Sequence, residues 1–324
     1  MLKIGILGCG KQGFKHASAM ADINNVQVFV ADQDSSVARE LAQKFKFHYT
    51  DSVWECDLDA IIISTPTLYH YEALQQALKR NIHIFCEKPL VSSSEEFIKI
   101  NELYKKSKSI LYVGFVYRFS PVIKQLHQLC QTHREALGKP LHAIFRIGGR
   151  GDHQVWKHHD SAGGVVNEML VHMLDLCQWF LGPYRIENVI KDKCIKPYRV
   201  IQGNSVKAEQ SDFMVLTAQS HEETDILFQA DFVTKKFSQY FEIVFENGSC
   251  FGSIEQGVNS FFYLHGSDLI NFNLPSDVNL FGEQLSCFLD YICSSNVNRI
   301  QTLKSYEQID SLIKQIKYFG EIIK

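Results

Sequence analysis

The hydrophobic pattern changes character part-way along the chain. Residues 2–7 run apolar with little alternation, as in a strand buried on both faces. Residues 26–31, 59–64, 82–86 and 110–114 repeat this short apolar texture. Between them lie segments of helical length and spacing: one through Phe14, Ala17, Ala19 and Met20, then 37–45, 69–80 and 94–106, the last with Ser93 or Ser94 as its cap. Strands alternating with helices predict a parallel sheet with right-handed crossovers.

From Leu141 onward helices no longer separate most strands. Residues 141–147, 185–195, 212–220, 225–233, 239–245, 249–254 and 260–265 read as strands of a mainly antiparallel sheet. Glu246-Asn247-Gly248-Ser249 is a hairpin signal. Phe232, Phe237, Tyr240, Phe241, Phe245, Phe251, Phe261, Phe262 and Tyr263 are expected on one face of this sheet, for core packing and, where the face stays open, for a second subunit. Residues 281–294 and 305–319 read as closing helices whose apolar spacing suits packing rather than DNA reading. The expected fold is α/β plus α+β: a parallel-sheet domain over 1–120, then a mainly antiparallel open-sheet domain over 121–324.

Composition narrows the function classes. A chain of 324 residues has room for two full cores. A net charge of −3 with no basic block gives no field toward nucleic acid or an anionic membrane. No apolar run approaches the roughly 20 residues of a membrane helix, and the apolar N-terminus is too short and glycine-broken for a signal segment. Nine scattered cysteines without a C-x-x-C pair, several in core runs (Cys86, Cys177, Cys287), fit a reducing cytoplasm.

The first apolar strand runs directly into Gly8-Cys9-Gly10-Lys11-Gln12-Gly13, a G-x-G-x-x-G loop opening a helix. Gly8 allows the tight turn, Gly10 the approach of a pyrophosphate, and Gly13 close helix–strand packing. The helix start offers unpaired N–H groups to phosphates. The second strand ends at Asp32, about 20 residues beyond the glycines, as a dinucleotide fingerprint expects. A carboxylate there accepts both ribose hydroxyls and repels a 2′-phosphate, and Gln33 and Asp34 supply no cation, so NAD is favoured over NADP. The plainer alternative is that Asp32 merely begins a turn and caps the helix over 37–45. Thr65-Pro66 and Glu87-Lys88-Pro89 follow later strands, at the ends where such sheets bind ligands.

Residues 163–175, Gly163-Gly164-Val165-Val166-Asn167-Glu168-Met169-Leu170-Val171-His172-Met173-Leu174-Asp175, read as a helix start. Glu168 and His172 are four apart, and Asp175 lies near the same face. Histidine titrates near neutrality and can take the proton of a secondary alcohol as hydride leaves. An ammonium such as Lys88 can stabilise the alkoxide. His70 begins a helix near the cofactor or is a plain helix-start residue. Arg118, in Tyr117-Arg118-Phe119-Ser120-Pro121, faces substrate or bridges the domains. Arg146 and Arg150 neutralise a diphosphate or form structural ion pairs. The polar stretch around Arg150, His153, Trp156, His158, His159 and Asp160 is placed to cover a cleft; its spacing matches no zinc motif, and no metal is expected.

Four landmarks resemble the Gfo/Idh/MocA oxidoreductases, named after glucose–fructose oxidoreductase and inositol dehydrogenase: the glycine loop 8–13, Thr65-Pro66-Thr67-Leu68-Tyr69-His70, Glu87-Lys88-Pro89-Leu90, and the Gly-Gly…His172…Asp175 stretch. They span residues 1–182, and the Glu-Lys-Pro tripeptide is the most specific. The resemblance implies a Rossmann dinucleotide-binding domain over 1–120, an open-sheet substrate-binding and oligomerisation domain over 121–324, and hydride transfer between NAD(P) and a sugar, polyol or nucleotide sugar. It makes Lys88 and His172 the catalytic pair, with Glu168 where many members carry Asp. The expected cofactor site comprises Gly8, Gly10, Lys11, Gln12, Gly13, Asp32, Thr65, Pro66, His70, Glu87 and Lys88, and the expected substrate contacts are Arg118, Arg150, Trp156, Glu168 and His172. The resemblance also implies a cis peptide before Pro89 and a homodimer or homotetramer built through the sheet. An NAD-using glycoside hydrolase and a non-catalytic NAD sensor are the alternatives.

Overall fold

The computed structural model describes residues 1–151, 164–201, 203–275, 278–294 and 299–322. They fall into two compact units, Met1–Val116 with Asn279–Glu307, and Tyr117–Val278 with Gln308–Lys324.

In the first unit β1 (Leu2–Leu7), β2 (Val26–Ala31), β3 (His48–Tyr49), β4 (Ala60–Ile63), β5 (His83–Cys86) and β6 (Leu111–Val113) form one parallel sheet in the order β3-β2-β1-β4-β5-β6. The helices α1 (Lys11–Ala21), α2 (Ser35–Phe45), α3 (His70–Lys79) and α4 (Ser94–Lys106) connect them. Strand order reverses between β1 and β4, which is the crevice where ligands of such sheets bind. The caps are local and visible in sequence: Asp34 accepts the Ser36 N–H to start α2, and Ser93 accepts the Glu96 N–H to start α4. Asp34 carries a carboxyl held below its ordinary range by the side-chain and backbone hydrogen bonds of Ser36.

A single cut at 120 does not anticipate the return of residues 279–307 to this unit. The cause is α8 (Leu280–Cys293), whose Leu285, Phe288 and Leu289 join the buried core of Ile4, Ile6, Val28, Ala60, Ile62 and Phe85. Phe288 meets Phe85 edge-on at 5.8 Å.

The second unit begins with α5 (Pro121–Thr132), which has Pro121 in its first turn, and α6 (Arg134–Leu137). Next come β7 (Pro140–Gly148), a wide π turn over Val166–Leu170, and α7 (Val171–Leu181). The strands β8 (Tyr184–Lys193), β11 (Phe213–Ser220), β12 (Asp225–Asp231), β13 (Ser238–Phe245), β14 (Gly248–Ser253), β15 (Ser260–Leu264) and β16 (Ile270–Phe272) complete an eight-stranded sheet with β7, in the order β16-β15-β14-β13-β7-β12-β11-β8. Every pairing in it is antiparallel except β7 with β12. A separate hairpin, β9 (Tyr198–Ile201) with β10 (Asn204–Lys207), was not foreseen. The last helix is α9 (Arg299–Ile322).

The aromatic residues expected on one face divide between two, because neighbours in a strand point oppositely. Phe145, Phe228 and Phe241 stack on the buried face, where Phe180 of α7 meets Phe241 at 4.7 Å. Tyr240, Phe251 and Phe261 stack in a row on the other, half-exposed face. Among the described residues, no helix is long and apolar enough to cross a membrane.

Phe288 is fully buried in the first unit's core. Phe288→Ala should therefore lower the unfolding free energy by about 3–5 kcal/mol in urea titrations. A loss below about 1 kcal/mol would mean that α8 does not share this core.

Candidate active site

The glycine loop leaves β1 at its carboxyl end. Gly8 has φ +94°, and a Cβ on it would lie 2.7 Å from the Thr65 backbone nitrogen. A Cβ on Gly13 would collide with the Gly8 carbonyl oxygen, so α1 can start this close to β1 only without a side chain there. Gly10 meets no atom of the chain within 4 Å of its would-be Cβ. It caps α1 with no side-chain hydrogen bond, so the N–H groups of the first turn, where Lys11 and Gln12 stand, are not taken by a cap.

The loop is tied on both flanks. Ser64 Oγ donates to the Gly8 carbonyl at 2.8 Å, joining it to the end of β4. Asp32 accepts the Cys9 N–H at 2.7 Å through one oxygen and the Asp34 N–H at 3.0 Å through the other. Each oxygen keeps a further lone pair. Cys9 itself is buried, and burial, with the Asp32 charge, pushes its thiol up to about 12; it acts as a small apolar group.

The ends of β4 and β5 carry the next residues. Thr65 is half-buried and its Oγ1 has no partner among the described residues; Pro66 is exposed. His70 is buried, with Nδ1 3.0 Å from the Pro89 carbonyl and Nε2 2.9 Å from the Thr65 carbonyl. Its ring joins two strand-end loops, and burial lowers its pKa despite those carbonyls. Glu87 likewise points into the protein. Oε1 lies 2.8 Å from His16 Nε2, and Oε2 accepts the Lys88 N–H at 3.3 Å. Burial raises this carboxyl, but the hydrogen bond and charge of His16, with those of Lys88, outweigh it and leave it below the ordinary range. Lys88 is half-exposed, and the Lys88–Pro89 bond is cis. His16 was missed in the sequence, where it stands 71 residues from Glu87 with only its helical position to mark it.

In the second unit the π turn and α7 carry Glu168, His172 and Asp175. Val171 N–H reaches back five residues to the Val166 carbonyl, which widens the helix between Glu168 and His172. Glu168 is buried and His172 half-buried. The Tyr117 ring stacks on the His172 imidazole at 4.4 Å and 28°. Burial pushes the Tyr117 hydroxyl up to about 12, against a partial pull from Arg150. Asp175 does not serve the imidazole. It is held by Arg118 in a two-point pair, Nε–Oδ2 2.7 Å and Nη2–Oδ1 2.6 Å. Burial raises the Asp175 carboxyl, and Arg118 only partly offsets this. Because Arg118 adjoins Tyr117, the pair fastens to α7 the segment that brings Tyr117 to His172.

Arg146 donates to Thr234 Oγ1 at 3.0 Å and pairs with Asp231 at 3.4 Å. Arg150 is exposed, with its guanidinium 3.8 Å above the Phe237 ring. Trp156, His153, His158, His159 and Asp160 lie outside the described residues. Among the described residues no group of three metal-ligating side chains occurs.

The first unit, with its glycine turn at the β1/β4 crevice, defines a Rossmann-fold dinucleotide-binding protein. A family described as "Oxidoreductase family, NAD-binding Rossmann fold" matches residues 2–115. Residues 2–115 thus match the Gfo/Idh/MocA family, and the chain is similar to inositol and levoglucosan dehydrogenases. A myo-inositol 2-dehydrogenase of Thermotoga maritima is 27% identical over 198 residues, 59% of this chain and 58% of that protein. The chain thus spans little more than half the length of the curated relatives it matches, 53% and 58% in two of them. Among solved structures, an NAD binding oxidoreductase from Klebsiella pneumoniae has a TM-score of 0.86 at 17% identity, covering 100% of this chain and 98% of that one. A levoglucosan dehydrogenase in complex with NADH gives 0.86 at 18%, covering 99% and 97%. At these identities the likeness establishes the fold.

Gly13→Ala should abolish NADH binding measured by nucleotide fluorescence, because its methyl displaces the Gly8 carbonyl and with it the loop; retained affinity would contradict the close approach. Glu87 predicts an acid limb. Its folded pKa lies below the ordinary value, so its contribution is present above about pH 4.3 and is lost as pH falls through the folded value. Unfolding free energy should fall more steeply with acid in the wild type than in Glu87→Gln; parallel curves would show that the carboxylate is not stabilised.

Proposed function

We propose that the protein is an NAD-dependent dehydrogenase or reductase acting on a secondary alcohol or ketone of a sugar or polyol. The observation that carries the reading is the cluster at the carboxyl ends of β1, β2, β4 and β5, where the Gly8–Gly13 cradle, Asp32, Thr65 and Lys88 follow four neighbouring strands. These residues fit a dinucleotide. The cradle has no room for a Cβ at Gly8 or Gly13, the first turn of α1 is uncapped by a side chain, and Thr65 Oγ1 is an orphaned buried hydroxyl. Gly10, Lys11, Gln12 and Gly13 would hold the pyrophosphate by backbone N–H groups, and Asp32 the ribose hydroxyls. The Asp32 carboxylate disfavours a 2′-phosphate, so NAD is preferred to NADP. NAD, when bound, accepts or returns the hydride.

The remaining work falls to side chains. The Lys88 ammonium would donate to the reacting oxygen and stabilise its negative charge. His172 would take that proton in oxidation and return it in reduction. Tyr117, stacked on the imidazole, limits its rotation. Glu168, on the same helix, would accept a substrate hydroxyl.

The substrate class has two supports. Relatives are named as dehydrogenases of myo-inositol and levoglucosan. Arg146 is engaged by Asp231 and Thr234, which removes one of the two cations considered for a diphosphate and favours a free sugar or polyol over a nucleotide sugar. The half-exposed Tyr240–Phe251–Phe261 row is the surface through which copies would form a homodimer or homotetramer. The free thiols suit a reducing cytoplasm.

The test is reduced-nicotinamide absorbance with NAD across polyols, aldoses, uronic acids and nucleotide sugars, beside Lys88→Ala and His172→Ala. We expect turnover with one class of free polyol or sugar and losses of about 10²–10⁴-fold in each variant with NADH binding intact. Sugar release from glycosides without net NADH would instead indicate a hydrolase, and silence with intact binding a sensor. Tighter binding of NADPH than NADH would overturn the role of Asp32.

A further inference from the structure

We infer that His16, buried on the helix that follows the glycine loop, is a positioning residue for Lys88, acting through the carboxylate of Glu87. The inference deepens the proposed hydride transfer and rests on that reading for its catalytic consequence.

The backbone around Lys88 is held at three points. Before it, the Glu87 N–H donates to the Ile63 carbonyl of β4 at 3.0 Å. After it, the Pro89 carbonyl lies 3.0 Å from buried His70. At Lys88 itself, the N–H donates to Glu87 Oε2 at 3.3 Å. The third point is only as firm as the Glu87 side chain, which is fixed by His16 at 2.8 Å. The His16 ring is wholly buried and walled edge-on by Phe85 at 5.0 Å and Phe281 at 5.1 Å. Its Nδ1 has no partner among the described residues, and Nε2, facing Oε1, carries the proton of this bond and donates it. A continuous path therefore runs from α1 through His16 and Glu87 to the Lys88 backbone.

Stability alone gives little reason for such a pair. A buried imidazole–carboxylate contact adds little over apolar side chains of the same volume. Removal of His16 alone has a sharper effect, because it strips the donor from Glu87 Oε1 and leaves the buried carboxylate with the Lys88 N–H on Oε2. Glu87 must then take up a proton or turn away, and either change alters the acceptor of the Lys88 N–H. A reacting lysine displaced by about an ångström loses about 10²-fold in rate. Phe281 belongs to α8, so the wall behind His16 is supplied by the segment that returns to this unit from far along the chain.

The experiment uses the full chain with two substitutions. His16→Leu keeps apolar volume and removes the donor; His16→Gln places an amide nitrogen where Nε2 stood. For each variant, kcat and KM are measured with the substrate found above, together with NADH affinity and the NMR signal of the isotopically methylated Lys88 amine, assigned with Lys88→Arg. In His16→Leu we expect kcat to fall about 10²-fold with KM and NADH affinity within about threefold of wild type, and the Lys88 signal to move; His16→Gln should recover most of both. If His16→Leu does not fold, Glu87→Gln must reproduce the displaced Lys88 signal. An unmoved Lys88 signal with kcat kept within about threefold, or a kcat loss matched by an equal loss of NADH affinity, overturns the inference. Full activity of Lys88→Ala would instead count against the functional reading, and the Lys88 signal in the His16 variants would still decide whether His16 positions the lysine.

Discussion

No side chain fits between the end of β1 and the start of α1. The would-be Cβ of Gly13 falls on the Gly8 carbonyl oxygen, and that of Gly8 on the Thr65 backbone. This absence of matter lets the positive end of a helix approach the crevice of a parallel sheet. The other ties converge on the same few atoms: Ser64 on the Gly8 carbonyl, Asp32 on the Cys9 N–H, and His16, one turn into α1, on Glu87. Displacing the loop would disturb each of them. The site's accuracy thus depends less on the strength of any one bond than on a contact that admits no alternative packing.

The second unit reaches firmness by a different route. His172 sits on a helix whose first turn is wide, and its ring is steadied by Tyr117 rather than by the carboxylate three residues on. Asp175 is spent on Arg118, both partners being largely withdrawn from water. Losing either partner leaves a buried charge, so the two-point pair makes the position of the Tyr117 segment an all-or-none matter.

Much of this was readable in the sequence. Short β-branched runs between amphipathic segments marked the parallel sheet, Ser93 marked a helix start, and the spacing of Gly8, Gly10, Gly13 and Asp32 marked the nucleotide loop. What escaped has identifiable causes. The stripe Leu285, Phe288, Leu289 announces burial but not which core receives it. Pro121 followed by Val122, Ile123, Leu126 and Cys130 carried a helix signal that was overlooked. Partner choice is the least local property: nothing near Arg118 names Asp175, and nothing near His16 names Glu87, because each pair is assembled only when distant elements pack. The aromatic cluster failed as one face because composition was weighed without the two-residue period of a strand.

The wide turn at Val166–Leu170 bears on how this helix is compared with any other. An i to i+5 turn holds one residue more than an α-helical path of the same length. Each α-helical residue turns the chain by about 100°, so one surplus residue shifts the phase of everything before it against everything after. Glu168 lies inside the bulge and His172 just beyond it. A position-by-position pairing with a strictly α-helical relative that matches His172 therefore slips at Glu168, and the carboxylate that occupies the same place in space carries a different offset from the histidine.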